Sequence, residues 1–282
     1  MGGDCAGPNV LTHTACMPID RCARTCGALP HRFVSAIIPA RDEAACITAV
    51  VQGLLALRDE AGVCVIDEVV VADNGSSDGT GSLAARAGAK VVCVPTPGYG
   101  RACWEAVQAS SGKVLLFVDG DGAAAPADAP VLLQGIDAGA DLVIGVRARP
   151  EAGSMSLAQR FGNELACVLM RGLWRLPARD LGPYRAITRS AFDALDMHDR
   201  SFGWTVEMQV RAHQLRLRVA ERDVGWYRRA GGHSKVSGTW RGVFGAGVGI
   251  LGMIARLWWR ERRRPHPRSS PPSSVQVGWP PR

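Results

Sequence analysis

The chain has 282 residues, of which 47% are hydrophobic, enough for the core of one large α/β domain or of two small ones. No run of about 20 uninterrupted apolar residues occurs, so no plain membrane-spanning helix is visible, and residues 1–30 lack the apolar segment of a signal peptide. The excess positive charge, +7 in total, is concentrated near the C-terminal end. Such a basic segment can bind anionic lipid or nucleic acid, or it can have no binding partner.

Residues 1–30 are predicted to form a poorly ordered extension rich in Gly, Pro, Thr and Cys. Its cysteines lack the paired C-x₂-C spacing of a structural zinc site, so zinc is not expected there. They are Cys5, Cys16, Cys22 and Cys26. The other cysteines lie in predicted regular elements, which is typical of reduced, packed thiols in a cytosolic protein. These are Cys46, Cys64, Cys93, Cys103 and Cys167.

Short segments of strand-forming residues alternate with helical patterns from residue 33 to residue 147. Strands are predicted at 33–38, 67–72, 90–94, 114–118 and 141–146. The segment at 114–118 is apolar without alternation, as expected of a strand that is buried on both faces. Because strands and helices alternate, we predict a mostly parallel sheet that is covered by helices on both sides.

Two carboxylates follow the buried segment at 114–118, at the sheet edge where open α/β sheets bind their ligands. Asp119 and Asp121 would repel each other unless a cation lay between them. A hard divalent metal that also holds a diphosphate fits this arrangement, since Mg²⁺ usually takes one or two carboxylates plus substrate phosphates. The alternative is a polar turn without a ligand, because Asp-Gly pairs are common in turns.

The turns after the first three strands carry further candidates. Asp42 and Glu43 either stabilise the following helix through its dipole or contact a nucleoside. Asp73 is well placed to bind a ribose hydroxyl or a base. The glycine-rich turn at 97–101 resembles a phosphate-binding loop only weakly, because it lacks the Walker lysine pattern.

The pattern changes after residue 150. Helices are predicted at 156–176 and from Gly203 onward, with a turn into a strand at 180–185 and a further strand at 217–228. These elements no longer follow the regular alternation of the first half.

The apolar, glycine-rich segment at 240–259 can be a core helix, an interfacial helix or a short membrane span. Each glycine costs about 1 kcal/mol relative to alanine in a water-exposed helix, whereas glycine is more frequent in membrane helices. Trp258 and Trp259 beside an arginine cluster suit the headgroup region, so we predict peripheral binding at the cytoplasmic face of an anionic membrane. The cluster comprises Arg256, Arg260, Arg262, Arg263, Arg264 and Arg268.

The order of the motifs resembles glycosyltransferase family 2, with its GT-A fold, over residues 33–240. The segments that carry the resemblance are IIPARDEAA, VVVADNGSSDGT, GYGRACWEAVQASSG, VLLFVDGDG and IGVRARP. ARDLGPYRAI, WTVEMQVRA and RRAGGHSKVSG are similar to segments of polyprenyl-phosphate and dolichyl-phosphate hexosyltransferases. Two departures are Ala123, where that branch often has glutamine, and Leu-Gly-Pro-Tyr after Asp180 in place of Ser-Gly-Phe.

The resemblance implies an inverting, metal-dependent transfer of a hexose from a nucleotide-sugar to a polyprenyl-phosphate-type acceptor. Asp119 and Asp121 would hold Mg²⁺ or Mn²⁺ against the diphosphate. Asp180 would act as base or orient the acceptor, with Glu207 as the second candidate, although Glu207 fits a helix-terminal acid equally well. The donor would contact Pro39, Arg41, Glu43, Asp73, Gly100, Asp119, Gly120, Asp121 and Arg147. Phosphate groups of donor or acceptor would contact Arg160, Arg229, Ser234 and Lys235.

Two other interpretations remain open at the level of sequence. The same donor half could serve a soluble phosphorylated acceptor or a hydroxyl acceptor. A non-catalytic nucleotide- or nucleic-acid-binding protein would leave the strand-end acids unexplained, so no nucleic acid partner is expected.

The predicted organisation is an extension at 1–30, a GT-A domain at 31–240 with donor half 31–150 and acceptor half 151–240, an apolar and basic helix at 241–264, and a disordered tail at 265–282.

Overall fold

The computed structural model describes residues 32–229 and 240–263. The predicted extension, the predicted tail, the cysteines before residue 30, and Ser234 and Lys235 lie outside these ranges. The strands are β1 Val34–Ala40, β2 Glu68–Asp73, β3 Lys90–Cys93, β4 Val114–Phe117, β5 Leu142–Pro150, β6 Arg185–Thr188 and β7 Val219–Trp226. The α-helices are α1 Ile47–Leu55, α2 Thr80–Arg86, α3 Tyr99–Ala109, α4 Ala129–Asp137, α5 Leu157–Trp174, α6 Arg189–Leu195, α7 Trp204–Gln214 and α8 Trp240–Arg263, and a 3₁₀ turn spans Pro126–Asp128.

The strands form one sheet in the order β3-β2-β1-β4-β6-β5-β7. β1 pairs in parallel with β2 and with β4, and β2 pairs in parallel with β3. All four residues of β4 are buried, which explains why this segment of the sequence is apolar without alternation. The prediction of a mostly parallel sheet flanked by helices is confirmed.

One strand of the second half lies in the middle of this sheet. β6 pairs antiparallel with β4 on one side and with β5 on the other. The sequence predicted a strand near this point but not its place between two strands of the first half. Alternation of strands and helices cannot reveal such an insertion, because it depends on pairing between residues that are distant along the chain.

Alternate residues of the strands supply two separate cores, because successive side chains point to opposite faces of a sheet. Ile38 packs with residues of α1, α2 and α4, whereas Ile37 packs with residues of α3, α6 and α7. The second core contains the rings of Phe117, Phe192 and Trp204, whose centroids lie 6.0–6.3 Å apart. This aromatic group fixes α6 and α7 against the strand that leads into the paired aspartates.

Helix α8 packs against α5 and α7 along one side. Met253, Ile254 and Leu257 are buried there with residues of those two helices. Val248 and Trp259 are instead more than half exposed on the outer side. α8 is therefore a packed helix with an apolar outer face, and no helix within residues 32–229 and 240–263 is long and apolar enough to cross a membrane.

Candidate active site

A cleft of about 440 Å³ opens at the edge of the sheet where β1 and β4 end. Its lining includes residues 39–41, 97–99, 119–121 and 201–202, together with Glu43, Asn74 and Arg229. Among the predicted donor contacts, the structure brings Pro39, Arg41, Glu43, Asp119, Gly120 and Asp121 to this cleft. The parallel strands cause this convergence, since their carboxyl ends meet at one edge of the sheet.

The paired aspartates lie on a tight turn immediately after β4. Asp121 is buried, and its Oδ1 accepts a hydrogen bond of 2.9 Å from the backbone N–H of Ala123. The Oδ1 of Asp119 accepts a bond of 3.1 Å from the hydroxyl of Tyr99. Gly122 adopts φ 72°, a left-handed conformation that favours glycine, so the glycine after the second aspartate shapes the turn.

The carboxylates lie in an electrostatic environment that favours a cation. Burial, and then repulsion from Asp121, raise the pKa of Asp119 to about 7, although the Tyr99 hydrogen bond and the charges of Arg229 and Arg147 lower it. In the described part of the chain, no group of three or more His, Cys, Asp or Glu residues gathers as a metal site. Two carboxylates nevertheless fit Mg²⁺ or Mn²⁺ that completes its coordination with phosphate and water oxygens.

Arg229 lies against these carboxylates. Its Nη2 is 2.7 Å from Oδ2 of Asp121, and its Nη1 is 3.4 Å from Oε1 of Glu43. It follows β7 by three residues, and the backbone N–H of Tyr227 donates to the carbonyl of Ala123 in the aspartate turn. A predicted phosphate contact thus lies within the cleft and supplies a positive charge to it.

Hydrogen bonds join the turn after β1 to the turn after β2. Asp42 has φ 50°, and its carboxylate accepts a bond of 2.7 Å from the N–H of Ser77. The N–H of Glu43 donates to the hydroxyl of Thr80 at 2.8 Å. These bonds hold the turn that places Arg41 and Glu43 at the cleft, where Glu43 was predicted to contact the nucleoside.

Asp73 does not line the cleft. Its Oδ1 accepts from the N–H of Ser76 at 2.9 Å, and a Cβ on Gly81 would lie 2.5 Å from its Oδ2, so the carboxylate packs within its own turn. Asn74, which the sequence reasoning missed, lines the cleft instead. Its side chain donates to the carbonyls of Val94 and Thr96 at 2.9 and 2.8 Å. The only signal for it in the sequence is its position directly after the strand.

The glycine-rich turn at 97–101 is shaped by packing against another loop. A Cβ on Gly98 would lie 2.3 Å from the carbonyl oxygen of Arg200, and one on Gly100 would lie 2.7 Å from that of Asp199. The N–H of Gly100 donates to the carbonyl of Ser201 at 3.1 Å. Gly100 itself does not line the cleft; it allows close approach of the loop that brings Ser201 there, and its predicted contact with the donor stays a prediction.

Asp180 is buried and paired with Arg147. The backbone N–H and Nε of Arg147 donate to its Oδ2 at 2.8 and 2.9 Å, and Nη2 donates to Oδ1 at 2.5 Å. Burial opposes ionisation, but the hydrogen bonds and charge of Arg147 outweigh it and lower the pKa of Asp180. A carboxylate with both oxygens engaged and a lowered pKa is a weak general base, which favours the orienting role predicted for Asp180.

The pairing of β5 with β7 is irregular between Val146 and Arg149, next to Arg147. At such a bulge a residue leaves the ladder, which explains why the N–H of Arg147 bonds Asp180. The guanidinium of Arg147 also lies 5.2 Å from the ring centre of Trp226 and lowers the pKa of Asp119. Arg147 therefore connects the Asp180 region with the paired aspartates.

Glu207 is buried away from the cleft lining. Its Oε2 accepts from the N–H groups of His198 and Asp199 at 3.0 and 2.7 Å, and its Oε1 lies 2.9 Å from Nε of Arg211. Its oxygens hold the loop before Ser201, which favours the alternative of a structural acid near the start of the helix over a catalytic role. Arg160, a predicted phosphate contact, is exposed on α5 and does not line the cleft.

Arg185 is a buried cation that the sequence reasoning did not single out as a site residue. Its guanidinium donates to the carbonyls of Leu181 and Gly182 and, at 3.3 Å, to that of Thr205. Burial lowers its pKa to about 10, so it stays charged near neutral pH. It holds the turn that carries Asp180.

A larger cavity of about 740 Å³ lies where the C-terminal ends of α5, α7 and α8 meet. Glu261 lines it and accepts from the amide of Gln214 at 3.1 Å and from the indole N–H of Trp174. The cationic side chains around it, such as Arg175 and Arg216, offset the partial negative charge of the helix ends. Among the described residues that line this cavity, Glu261 is the only carboxylate, so they offer no pair comparable with Asp119 and Asp121.

Comparison with known proteins agrees with this geometry. The profile of Glycosyl transferase family 2 matches residues 35–195, more than half of the chain. The chain belongs to glycosyltransferase family 2. An uncharacterized glycosyltransferase of Mycobacterium tuberculosis is 42% identical to this family 2 glycosyltransferase over 174 residues, which are 61% of this chain and 79% of the relative.

Two further relatives of this family 2 glycosyltransferase are informative. Glycosyltransferase AglJ of Haloferax volcanii is 33% identical over 202 residues, 71% of this chain and 64% of AglJ. The crystal structure of glucosyl-3-phosphoglycerate synthase from Mycobacterium tuberculosis in complex with Mn²⁺, UDP-glucose and phosphoglyceric acid superimposes with a TM-score of 0.62 at 25% identity. The superposition covers 79% of this chain and 80% of the synthase. The predicted GT-A fold is confirmed.

Proposed function

We propose that the enzyme transfers a hexose from a nucleotide-sugar to a phosphorylated acceptor, and that the acceptor is a small soluble phosphorylated acid. The observation that carries the proposal is the pair Asp119 and Asp121 within a cleft that also presents Arg41 and Arg229. Carboxylates that hold a divalent metal, together with arginines, form a site for a diphosphate. The likeness to a synthase solved with Mn²⁺, UDP-glucose and phosphoglyceric acid supports the same chemistry.

The donor would lie along the cleft between the β1 turn and the loop of residues 97–99. Arg41, Glu43 and Asn74 would contact the nucleoside side, and Asp119 and Asp121 would hold the metal against the diphosphate. When bound, Mg²⁺ or Mn²⁺ neutralises the charge that develops on the departing nucleoside diphosphate. The buried position of Asp121 keeps its carboxylate fixed, so little reorganisation accompanies the departure of the diphosphate.

A phosphorylated acceptor suits the described part of the site, in which neither predicted general base is free to accept a proton. A phosphate or carboxylate oxygen is already anionic near neutral pH, so alignment and charge can suffice for its attack on the anomeric carbon. Asp180 and Glu207, the predicted bases, are both held by arginines. Arg147, positioned by Asp180, is our candidate for holding the acceptor. Inversion at the anomeric carbon stays a prediction that the anomeric NMR signal of the product decides.

A second candidate acceptor, polyprenyl phosphate at a membrane surface, is favoured by the outer face of α8. Val248, Leu251 and Trp259 are exposed there, and arginines follow at the same end of the helix as Trp259. Each basic residue near an anionic surface contributes about 1 kcal/mol, and salt weakens the attraction. This face supports peripheral membrane binding of the kind that the sequence predicted.

A screen of donors and acceptors tests the proposal. Purified protein is incubated with Mn²⁺ and uridine or guanosine diphosphate sugars, with phosphoglycerate or with polyprenyl phosphate, and release of the nucleoside diphosphate is measured. We expect release that depends on Mn²⁺ and on the soluble phosphorylated acid. Release only with polyprenyl phosphate would favour the second candidate, and no acceptor-dependent release with any donor would contradict both.

Sedimentation with anionic liposomes tests the membrane candidate separately. Trp259→Glu should abolish sedimentation, whereas Val63→Glu, an exposed apolar position before β2, should leave it unchanged. If the unaltered protein does not sediment with the liposomes at low salt, the result supports the soluble acceptor.

A further inference from the structure

Arg229 occupies the position through which a metal would reach Asp121. The side chain of Asp121 is only 5% exposed, and both of its oxygens already have partners. Oδ1 accepts from the N–H of Ala123, and Oδ2 lies 2.7 Å from Nη2 of Arg229. A metal that binds Oδ2 of Asp121 from the cleft therefore competes with the guanidinium for this oxygen, whereas the backbone contact of Oδ1 belongs to the turn itself.

Hydrogen bonds fix the backbone before Arg229, so only the side chain of Arg229 has to move when a metal binds. The N–H of Tyr227 donates to the carbonyl of Ala123 at 2.8 Å, and the N–H of Arg228 donates to Oε2 of Glu151 at 2.7 Å. The side chain of Arg229 is 30% exposed, which leaves it room to rotate within the cleft. Its second contact, with Glu43 at 3.4 Å, is long and weak.

A diphosphate changes the balance at this position. A guanidinium and a divalent cation repel each other when both lie beside one carboxylate. Phosphate oxygens offer the guanidinium a new partner, because arginine binds phosphate with two parallel hydrogen bonds. When metal and nucleotide bind together, the metal pairs with the carboxylate and Arg229 pairs with phosphate oxygens. When the metal binds alone, Arg229 loses its carboxylate partner and gains no phosphate in exchange.

We propose that Arg229 is a replaceable internal cation that couples metal binding to nucleotide binding. Without a donor it neutralises Asp121 and Glu43; with the metal and the diphosphate it moves from the carboxylates to phosphate oxygens. This inference rests on the proposed function, because it assumes that the cleft binds a metal and a nucleoside diphosphate. Such coupling is reciprocal: the metal strengthens nucleotide binding by the same factor as the nucleotide strengthens metal binding.

Mn²⁺ binding, followed by the electron paramagnetic resonance signal of free Mn²⁺, tests the inference with and without uridine or guanosine diphosphate. The variant Arg229→Met keeps much of the side-chain volume but removes the charge. We expect it to bind Mn²⁺ alone at least about tenfold more tightly than the unaltered protein, the scale of one displaced ion pair of about 1.4 kcal/mol. We also expect the strengthening of Mn²⁺ binding by nucleotide to shrink by a similar factor.

Arg41→Met is the matched control, because Arg41 lines the same cleft without a contact to Asp121 among the described hydrogen bonds and ion pairs. An equal gain in Mn²⁺ affinity in both variants would reduce the effect to general electrostatics and overturn the inference. So would unchanged Mn²⁺ affinity in Arg229→Met when circular dichroism shows that it is folded. A second variant, Arg229→Gln, gives the same comparison if the methionine variant does not fold.

Mn²⁺ binding also distinguishes failure of the proposed function from failure of the inference about Arg229. If the unaltered protein binds no Mn²⁺ with either nucleotide, or binds it equally in Asp121→Asn, the metal site itself is wrong and the inference falls with it. If Mn²⁺ and nucleotide bind together through Asp121 but Arg229→Met behaves like the unaltered protein, only the inference fails.

Discussion

Two aspartate–arginine pairs lie at the same edge of the sheet and differ in nearly every respect. Asp180 and Arg147 make three hydrogen bonds, and both side chains are largely buried. Asp121 and Arg229 make one close contact, and the arginine is partly exposed in the cleft. The first pair is fixed by backbone and side chain together, whereas the second can exchange one partner for a ligand. In our proposal the same residue types thus serve as a structural support and as a binding site.

The largest effect on stability is expected from breaking the fixed pair. Asp180→Asn leaves the buried Arg147 without its counter-charge and should lower the free energy of unfolding by about 3–5 kcal/mol. Urea denaturation measures this loss. At a temperature where the variant is folded, turnover should fall while affinity for the nucleoside diphosphate is kept. A fall in nucleotide affinity as large as that in turnover would show that the two pairs are not separate.

The exchangeable pair should matter mainly for activity. Asp121→Asn should lower turnover about 10²–10³-fold, the scale of losing one well-placed electrostatic group. Release of the nucleoside diphosphate measures it, with Asp193→Asn, on the exposed side of α6, as the matched control. Full activity of the unaltered protein in excess chelator would contradict the role of this carboxylate.

Lysine substitutions sharpen the contrast, because lysine keeps the charge and loses the fork of arginine. Arg147→Lys should lower the free energy of unfolding by about 1–3 kcal/mol, since hydrogen bonds to a buried carboxylate are lost. Arg229→Lys should change it by less than about 0.5 kcal/mol, because the partly exposed lysine keeps the charge beside Asp121. Thermal unfolding of the two variants side by side gives the comparison, and equal losses would refute it.

The smallest effect concerns pH. The pKa of Asp180 is lowered in the folded protein, so its contribution to stability is present above its ordinary value of 3.8 and is lost as the pH falls through the lowered folded value. One such group changes stability by at most about 1.4 kcal/mol per pH unit. Urea midpoints at pH 5, 4 and 3 should therefore fall more steeply in the unaltered protein than in Asp180→Asn. Parallel slopes would mean that Asp180 does not titrate as inferred.

The sequence predicted what depends on short-range pattern. The buried strand before Asp119 and the acids at the strand ends follow from local composition, and so does the alternation of strands and helices. It could not predict which partner a side chain takes. In the sequence Glu207 is a candidate catalytic acid, but in the structure its oxygens bind a distant loop. Asn74 directly follows Asp73, and nothing in the local sequence indicates that Asn74 lines the cleft while Asp73 does not.

The position of β6 has a consequence for how the protein reaches its native state. β4 and β5 are joined only through β6, and β5 also pairs with β7, so the chain up to residue 150 leaves one edge of β4 and both edges of β5 open. Exposed strand edges invite association with other chains. A growing polypeptide therefore has to keep these edges protected until β6 is synthesised. Because the pairing joins residues that are distant along the chain, we expect the protein to fold slowly. The first half alone should be insoluble when expressed without the second.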